Sequence, residues 1–392
     1  MAAAWQRYAL PPLRDLAHPP AQQLPGLDFL RAWAILLVVF GHLTVEYVAS
    51  GGTPSFFSAL PWVRGGWIGV DLFFVLSGLL IGRQLWQEAA KTGRVDFRRF
   101  CLRRGYRIWP LYFFFWIVVA LGLGGAGVPL ERGWSDLVFL TNYFNHGIVM
   151  GSWSLCVEEQ FYLIAPVAVG LLAVRVPDPA TQRRILIGAL LLLPLTRAGI
   201  WWWVTGGLES GRPEAFRQFL YQPIHTHADG LVMGLLLAHL WHSGEMKKQR
   251  FLTSGWCLGL SAAVFLAFRK AHNEILDFSG LSLVWGAATC FLLGHPGFLP
   301  RLIVCRVFHL LSRLSFGMYL NHEYLQKPVA ELALRFIPFA GELAPWHNIL
   351  TGWLLVLVSA AVATVTYCAV EHPFLELRRR KLEAGSSRTE PR

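Results

Sequence analysis

The sequence predicts an all-α polytopic membrane protein with about ten transmembrane helices and both termini in the cytoplasm. Three observations carry this. The chain is 54% hydrophobic and only 15% charged, whereas a soluble domain carries roughly 25% charge. Apolar stretches of about 20 residues recur along its length, each long enough to cross a bilayer as a helix. Lys and Arg gather in alternate short loops, the pattern that sets membrane orientation. The 17 Trp and 14% aromatic content suit side chains that collect at membrane interfaces.

The elements follow in order. Residues 1–27 contain Pro11, Pro12, Pro19, Pro20 and Pro25 and no signal-peptide hydrophobic region, so they are expected to form a cytoplasmic lead. Spanning helices are expected at about 28–49, 66–86, 108–126, 153–174, 185–205, 224–242, 253–268, 276–294, 312–330 and 347–370. The second and third are separated by Lys91, Arg94, Arg98, Arg99, Arg103, Arg104 and Arg107. Arg175, Arg183 and Arg184 follow the fourth, Lys247, Lys248 and Arg250 the sixth, and Arg301 and Arg306 the eighth. Loops of the other parity hold only scattered cations, such as Arg64, Arg132, Arg212 and Arg217. A membrane domain over 28–376 therefore ends in a basic cytoplasmic tail, 377–392, expected to be disordered. The net charge of +11 reflects this loop asymmetry and not a nucleic-acid surface. The six cysteines lack paired spacing, so packing is their default role, with no disulfide framework or zinc site.

Against this apolar background, ionisable residues inside spans stand out, because lipid makes them costly. Arg31 and His42 are eleven residues apart on the first helix. That is close to three whole turns, so they share a face about 16 Å apart along the axis. Counting depth from the loops puts Arg31 near the inner edge and His42 in the outer half. Asp71, Glu158, Glu159 and Asp229 fall at the outer level too. Glu158 and Glu159 project about 100° apart, so one is expected to face the centre; Glu158 is the favoured one. Arg103 and Arg107 lie one turn apart with Arg104 adjacent, guanidinium groups suited to bidentate phosphate binding. Ser154 and Trp153 are placed to cap and anchor their helix at the interface. Ser77-Gly78 is expected to permit close helix packing.

Several motifs then resemble acyltransferase family 3. The Arg31–His42 pair comes first, then Gly66-Trp67-Ile68-Gly69-Val70-Asp71-Leu72-Phe73-Phe74-Val75-Leu76-Ser77-Gly78. Phe100-Cys101-Leu102-Arg103-Arg104-Gly105-Tyr106-Arg107-Ile108-Trp109-Pro110-Leu111-Tyr112 follows. The most specific is Ser152-Trp153-Ser154-Leu155-Cys156-Val157-Glu158-Glu159-Gln160-Phe161-Tyr162-Leu163. Weaker echoes are Ala228-Asp229-Gly230-Leu231, Leu314-Ser315-Phe316-Gly317-Met318-Tyr319-Leu320-Asn321-His322 and Val370-Glu371-His372-Pro373. The resemblance covers about 28–376 in the family's order.

It implies a membrane-bound O-acyltransferase of the O-antigen acetylase type, in a bacterial inner membrane. An acyl group, usually acetyl, would pass from cytoplasmic acetyl-CoA to a hydroxyl of an extracytoplasmic glycan or lipid-linked saccharide. Arg31, Arg103, Arg104 and Arg107 are expected to hold the CoA phosphates. His42 is expected to act as general base in a direct transfer, the alternative being a nucleophile that carries the acyl group, with Glu158 orienting it or binding the acceptor. Asp71, Trp153, Ser154, Glu159, Asp229 and His322 are expected around the acceptor. No metal is expected. No appended esterase-like domain is expected after the tenth helix, and the membrane domain is expected to complete the transfer. The arginine usual before the helix-six aspartate is replaced by His227. A transporter or flippase of a polar substrate is the alternative; no internal repeat supports it. His225-Thr226-His227-Ala228-Asp229 and the His272–Asp277 spacing mimic motifs of unrelated hydrolases and glycerolipid acyltransferases. Both lack the surroundings those chemistries need.

Overall fold

A computed structural model describes residues 10–17, 24–49, 66–122, 130–144, 147–207, 212–270, 274–298, 304–336 and 344–383. The architecture is helical throughout these residues. A short helix, α1 (Leu10–Ala17), precedes ten long ones. They are α2 (Pro25–Ala49), α3 (Ile68–Thr92), α4 (Phe97–Ala120), α5 (Ser152–Arg175) and α6 (Pro179–Thr205), then α7 (Asp229–His242), α8 (Gly255–Lys270), α9 (Glu274–Gly294), α10 (His309–Phe336) and α11 (Ala344–Thr366). Among the described residues, six helical stretches are long and apolar enough to cross a membrane: Pro25–Leu43, Ile68–Thr92, Ser152–Arg175, Pro179–Thr205, Ile275–Gly294 and Ile349–Lys381. The remaining long helices are shorter or more polar.

Helix boundaries depart from the expected spans where a local signal overrides hydropathy. The basic stretch Arg98–Arg107 is not a loop but the opening of α4, because Asp96 caps that helix by accepting from the Arg99 amide at 2.9 Å. Asp178 caps α6 in the same way, through the amides of Ala180 and Thr181, with Pro179 at the first position. The expected sixth span loses its first turn: residues 222–228 form tight turns, and α7 begins at Asp229. At the C-terminal end, α11 runs into a wide turn and further helix through Glu383. Residues 1–9 of the lead, 384–392 of the tail and the His272–Asn273 portion of the outer-loop motif lie outside the described residues.

Successive helices alternate in direction. Asp28 at the start of α2 meets His309 and Ser312 at the start of α10, while His42 meets His322 further along both. Gly66, just before α3, abuts Gly41, so α3 returns antiparallel to α2. α3 lies at the centre, against α2, α5, α7 and α9, and α10 packs between α2 and α11. α8 buries no residue fully and rests mainly on α9.

Glycines make the central contact possible. A Cβ on Gly78 would lie 2.1 Å from the Leu231 carbonyl oxygen, and one on Gly234 would lie 2.2 Å from that of Val75. The α3 and α7 backbones touch directly there, the close approach that small residues allow in membrane helices. Gly234→Ala is expected to force the helices apart at a cost of about 1–3 kcal/mol. A lowered thermal midpoint of the detergent-purified protein would show it, and an unchanged midpoint would refute the close approach.

Candidate active site

A cavity of about 410 Å³ runs between α2, α3, α4, α5 and α10. Its lining on α3 extends from Val70 to Gln84, about 21 Å along the axis. One end is cationic, with Arg31, Arg104, Arg107 and Arg313. Arg104 donates to Gln84 at 2.7 Å, and the buried Nε groups of Arg31 and Arg104 have no hydrogen-bond partner. Among the described residues, neither Arg31, Arg104 nor Arg107 has a carboxylate at ion-pair distance. Arg313 is tied up, donating to Asp15 of α1 at 2.5 Å and to the Tyr367 hydroxyl at 2.6 Å. Burial pushes the Asp15 carboxyl up, but the Tyr367 hydroxyl and the Arg313 charge outweigh it and hold it below the usual range.

Glu158 and Glu159 part company. Glu158 lines the cavity, where its carboxylate accepts from the Tyr162 hydroxyl at 2.7 Å; Tyr162 in turn accepts from Ser77 at 2.9 Å. Glu159 turns aside to the Trp109 indole at 2.9 Å. At the far end the lining reaches Ser154 and Tyr319, whose hydroxyls are 2.5 Å apart.

Just beyond Tyr319, His42 meets His322. Nδ1 of His322 lies 2.8 Å and 3.2 Å from the carbonyl oxygens of Tyr319 and Met318. Carbonyls only accept, so that nitrogen bears the proton. Neutral His322 therefore offers a bare Nε2, 3.0 Å from Nδ1 of His42. The proton in that contact belongs to His42, and the second nitrogen of a neutral His42 carries a free lone pair. His322 is buried at 1% exposure, whereas the His42 side chain is 41% exposed. A locked inner ring thus presents an outer ring with its basic nitrogen open. Glu323 stands 3.9 Å from that nitrogen, too far for a hydrogen bond.

The opposing wall is built by a loop. Gly151 precedes α5 at φ +68°, a left-handed backbone that favours glycine, and a Cβ there would lie 2.8 Å from a Glu323 oxygen. Asp136 fixes this loop by accepting from the Ile148 amide at 2.7 Å and from Ser152, Tyr112 and Thr141. Burial pushes the Asp136 carboxyl up despite these donors.

The other expected residues lie outside the cavity lining. Asp71 is fully buried, 3.0 Å from Nε2 of His227, and Trp153 stacks on the same ring at 5.8 Å. Asp229 is held bidentately by Arg197 at 2.6 and 3.1 Å, and also accepts from Ser279. Arg197 spends its remaining donors on Ser279 and the carbonyls of Thr226 and Ile275. A guanidinium from α6 thereby takes the place next to Asp229 that the sequence motif leaves to His227. Arg103 does not line the cavity. His225, His227 and Asp229 go to separate partners, Tyr143, Asp71 and Arg197, so they share no common ligand point. His42, His322 and Glu323 do present ligand-capable atoms within 4.8 Å of one another, a set that could hold a metal ion. The direct His42–His322 hydrogen bond uses two of the same nitrogens.

Comparison with known proteins adds to this geometry. The family model described as an acyltransferase domain matches residues 24–368. The chain is 26% identical over 383 residues to "Putative peptidoglycan O-acetyltransferase YrhL" of Bacillus subtilis, covering 89% of this chain and 54% of that protein. It is 25% identical over 380 residues to "O-acetyltransferase OatA" of Staphylococcus aureus, covering 89% and 57%. It is 28% identical over 342 residues to "Peptidoglycan O-acetyltransferase OatA" of Listeria monocytogenes, covering 79% and 51%. The chain thus spans about half the length of the curated relatives it matches. No solved structure matches it.

Proposed function

The chain belongs to this acyltransferase family, and from that premise we propose that it moves an acetyl group from acetyl-CoA to a hydroxyl of an extracytoplasmic glycan such as peptidoglycan. One observation carries the reading. A single helix, α2, offers Arg31 to a cavity with unpaired cationic residues at one end and His42, with its basic nitrogen open, just beyond the other. The orientation adopted puts both termini and the arginine end on the cytoplasmic side of a bacterial inner membrane, with about ten spans.

In this reading Arg31, Arg104 and Arg107 bind the CoA phosphates by charge-assisted hydrogen bonds. The acyl arm extends along the cavity past Glu158 toward Ser154 and Tyr319. The acceptor hydroxyl gives its proton to the open nitrogen of His42 as its oxygen attacks the thioester carbonyl. The C–S bond then breaks, and the departing thiolate takes a proton back from the imidazolium. Oxygen, acyl group and proton balance without a covalent enzyme intermediate. His322 holds the outer ring in the reactive tautomer. Asp71–His227 and Asp229–Arg197 serve as buried supports behind the cavity.

Transfer of label from acetyl-CoA to a purified peptidoglycan glycan by the reconstituted protein tests the proposal; donor binding with no transfer to any glycan would overturn it. The positioning role of His322 has its own readout. His322→Ala is expected to lower kcat by about 10- to 100-fold, with KM for the donor little changed and the pH–rate profile displaced. An unmoved profile would show that His322 only fills space.

A further inference from the structure

A second cavity, of about 350 Å³, opens behind the Asp71–His227 pair and plays no part in the donor path. Its walls include the rings of Trp67, Tyr221 and Phe278, with Arg217, Arg269 and Asp277 set among them. Arg269 donates to Asp277 at 2.7 Å and lies over the Trp67 ring, 5.7 Å from its centroid. Asp277 is buried, yet its Oδ1 accepts nothing. Arg217 is exposed and has no ion-pair partner among the described residues.

The cavity sits at the His42 end of the bundle. Trp67 follows Gly66, which is packed so tightly on Gly41 that a Cβ on Gly41 would lie 2.2 Å from the Gly66 Cα. Gly41 is the neighbour of His42. On the other wall, the Tyr221 carbonyl accepts from His227 at 2.5 Å, and Trp153 packs on Tyr221 with centroids 4.6 Å apart.

Aromatic walls with a few fixed polar groups are what a sugar requires. The C–H faces of a pyranose are apolar and lie flat on rings, while its hydroxyl and amide groups need directed partners. The free Asp277 oxygen accepts from such donors, and an unpaired guanidinium suits a carboxylate. We propose that this cavity docks the acceptor glycan, specifically an N-acetylated sugar bearing a carboxylate, with Arg217 reading the charge and Trp67 supporting the ring. The proposal rests on the acyl-transfer reading above for its link to His42.

Calorimetric titration of the full chain in nanodiscs tests it. The probes are the disaccharide N-acetylglucosaminyl-N-acetylmuramic acid and uncharged chitobiose. Wild type is expected to bind the carboxylate sugar more tightly. Arg217→Gln, on an exposed residue, should weaken that sugar about tenfold and leave chitobiose where it was. Trp67→Ala should weaken both about tenfold. Trp256→Ala, at a ring 82% exposed on α8, should change neither. Unchanged affinities in both cavity variants, or no binding of either sugar by wild type, would overturn the assignment. Binding that weakens as expected, in a protein that transfers no acetyl group, would keep the glycan site and remove the acyl-transfer reading instead.

Discussion

His42→Ala is expected to reduce acetyl transfer by about 10²- to 10⁴-fold, the range lost when a positioned general base is removed. The magnitude follows from the contacts of the ring. His42 is the partly exposed member of the His42–His322 pair, and the backbone carbonyls behind His322 dictate which of its nitrogens is free. No other imidazole among the described residues sits beside the Ser154–Tyr319 end of the cavity in that state. Donor affinity should stay within about twofold, since the phosphates are assigned to Arg31, roughly 16 Å away along α2, and to Arg104 and Arg107 at the same end of the cavity. Transfer assays with labelled acetyl-CoA, together with donor titration, separate the two effects. Transfer at wild-type rate would remove His42 from the chemistry.

Arg104→Ala is expected to weaken acetyl-CoA binding about 10- to 100-fold, because each charge-assisted hydrogen bond contributes roughly 1.5–3 kcal/mol. Arg104 is anchored by Gln84 and keeps further donors free for a phosphate. The neighbouring Arg103, outside the cavity lining, serves as the comparison: Arg103→Ala should change donor affinity far less. Acceptor affinity should be nearly untouched in both. Equal losses of donor and acceptor affinity in Arg104→Ala would contradict the separation of the two ends.

Much of this arrangement was legible in the chain itself. The helical membrane class, the Arg31–His42 register and the divergence of Glu158 from Glu159 all follow from periodicity and the cost of buried charge. What periodicity does not reveal is which distant helix supplies a partner. Glu158 was expected to orient His42 or to bind the acceptor; the side chain that hydrogen-bonds His42 is His322. Glu158 lies one turn beyond Ser154, which is level with Tyr319, and so falls on the arginine side. Arg197 carried the same signal as Arg31, a lone cation in an apolar run, but no linear motif tied it to Asp229. The start of α4 was misplaced because hydropathy ignores a capping aspartate. Arg313 and Glu371 reach the cavity only through the packing of α10 and the turn after α11.

The central claim is that donor and acceptor meet from opposite ends of one path. Proteoliposomes with the protein in a single orientation test this most directly, with labelled acetyl-CoA on one face and the glycan on the other. Label should reach the glycan only when acetyl-CoA is on the face of Arg104 and Arg107 and the glycan on the face of His42. Transfer that requires both substrates on the same face would contradict the account.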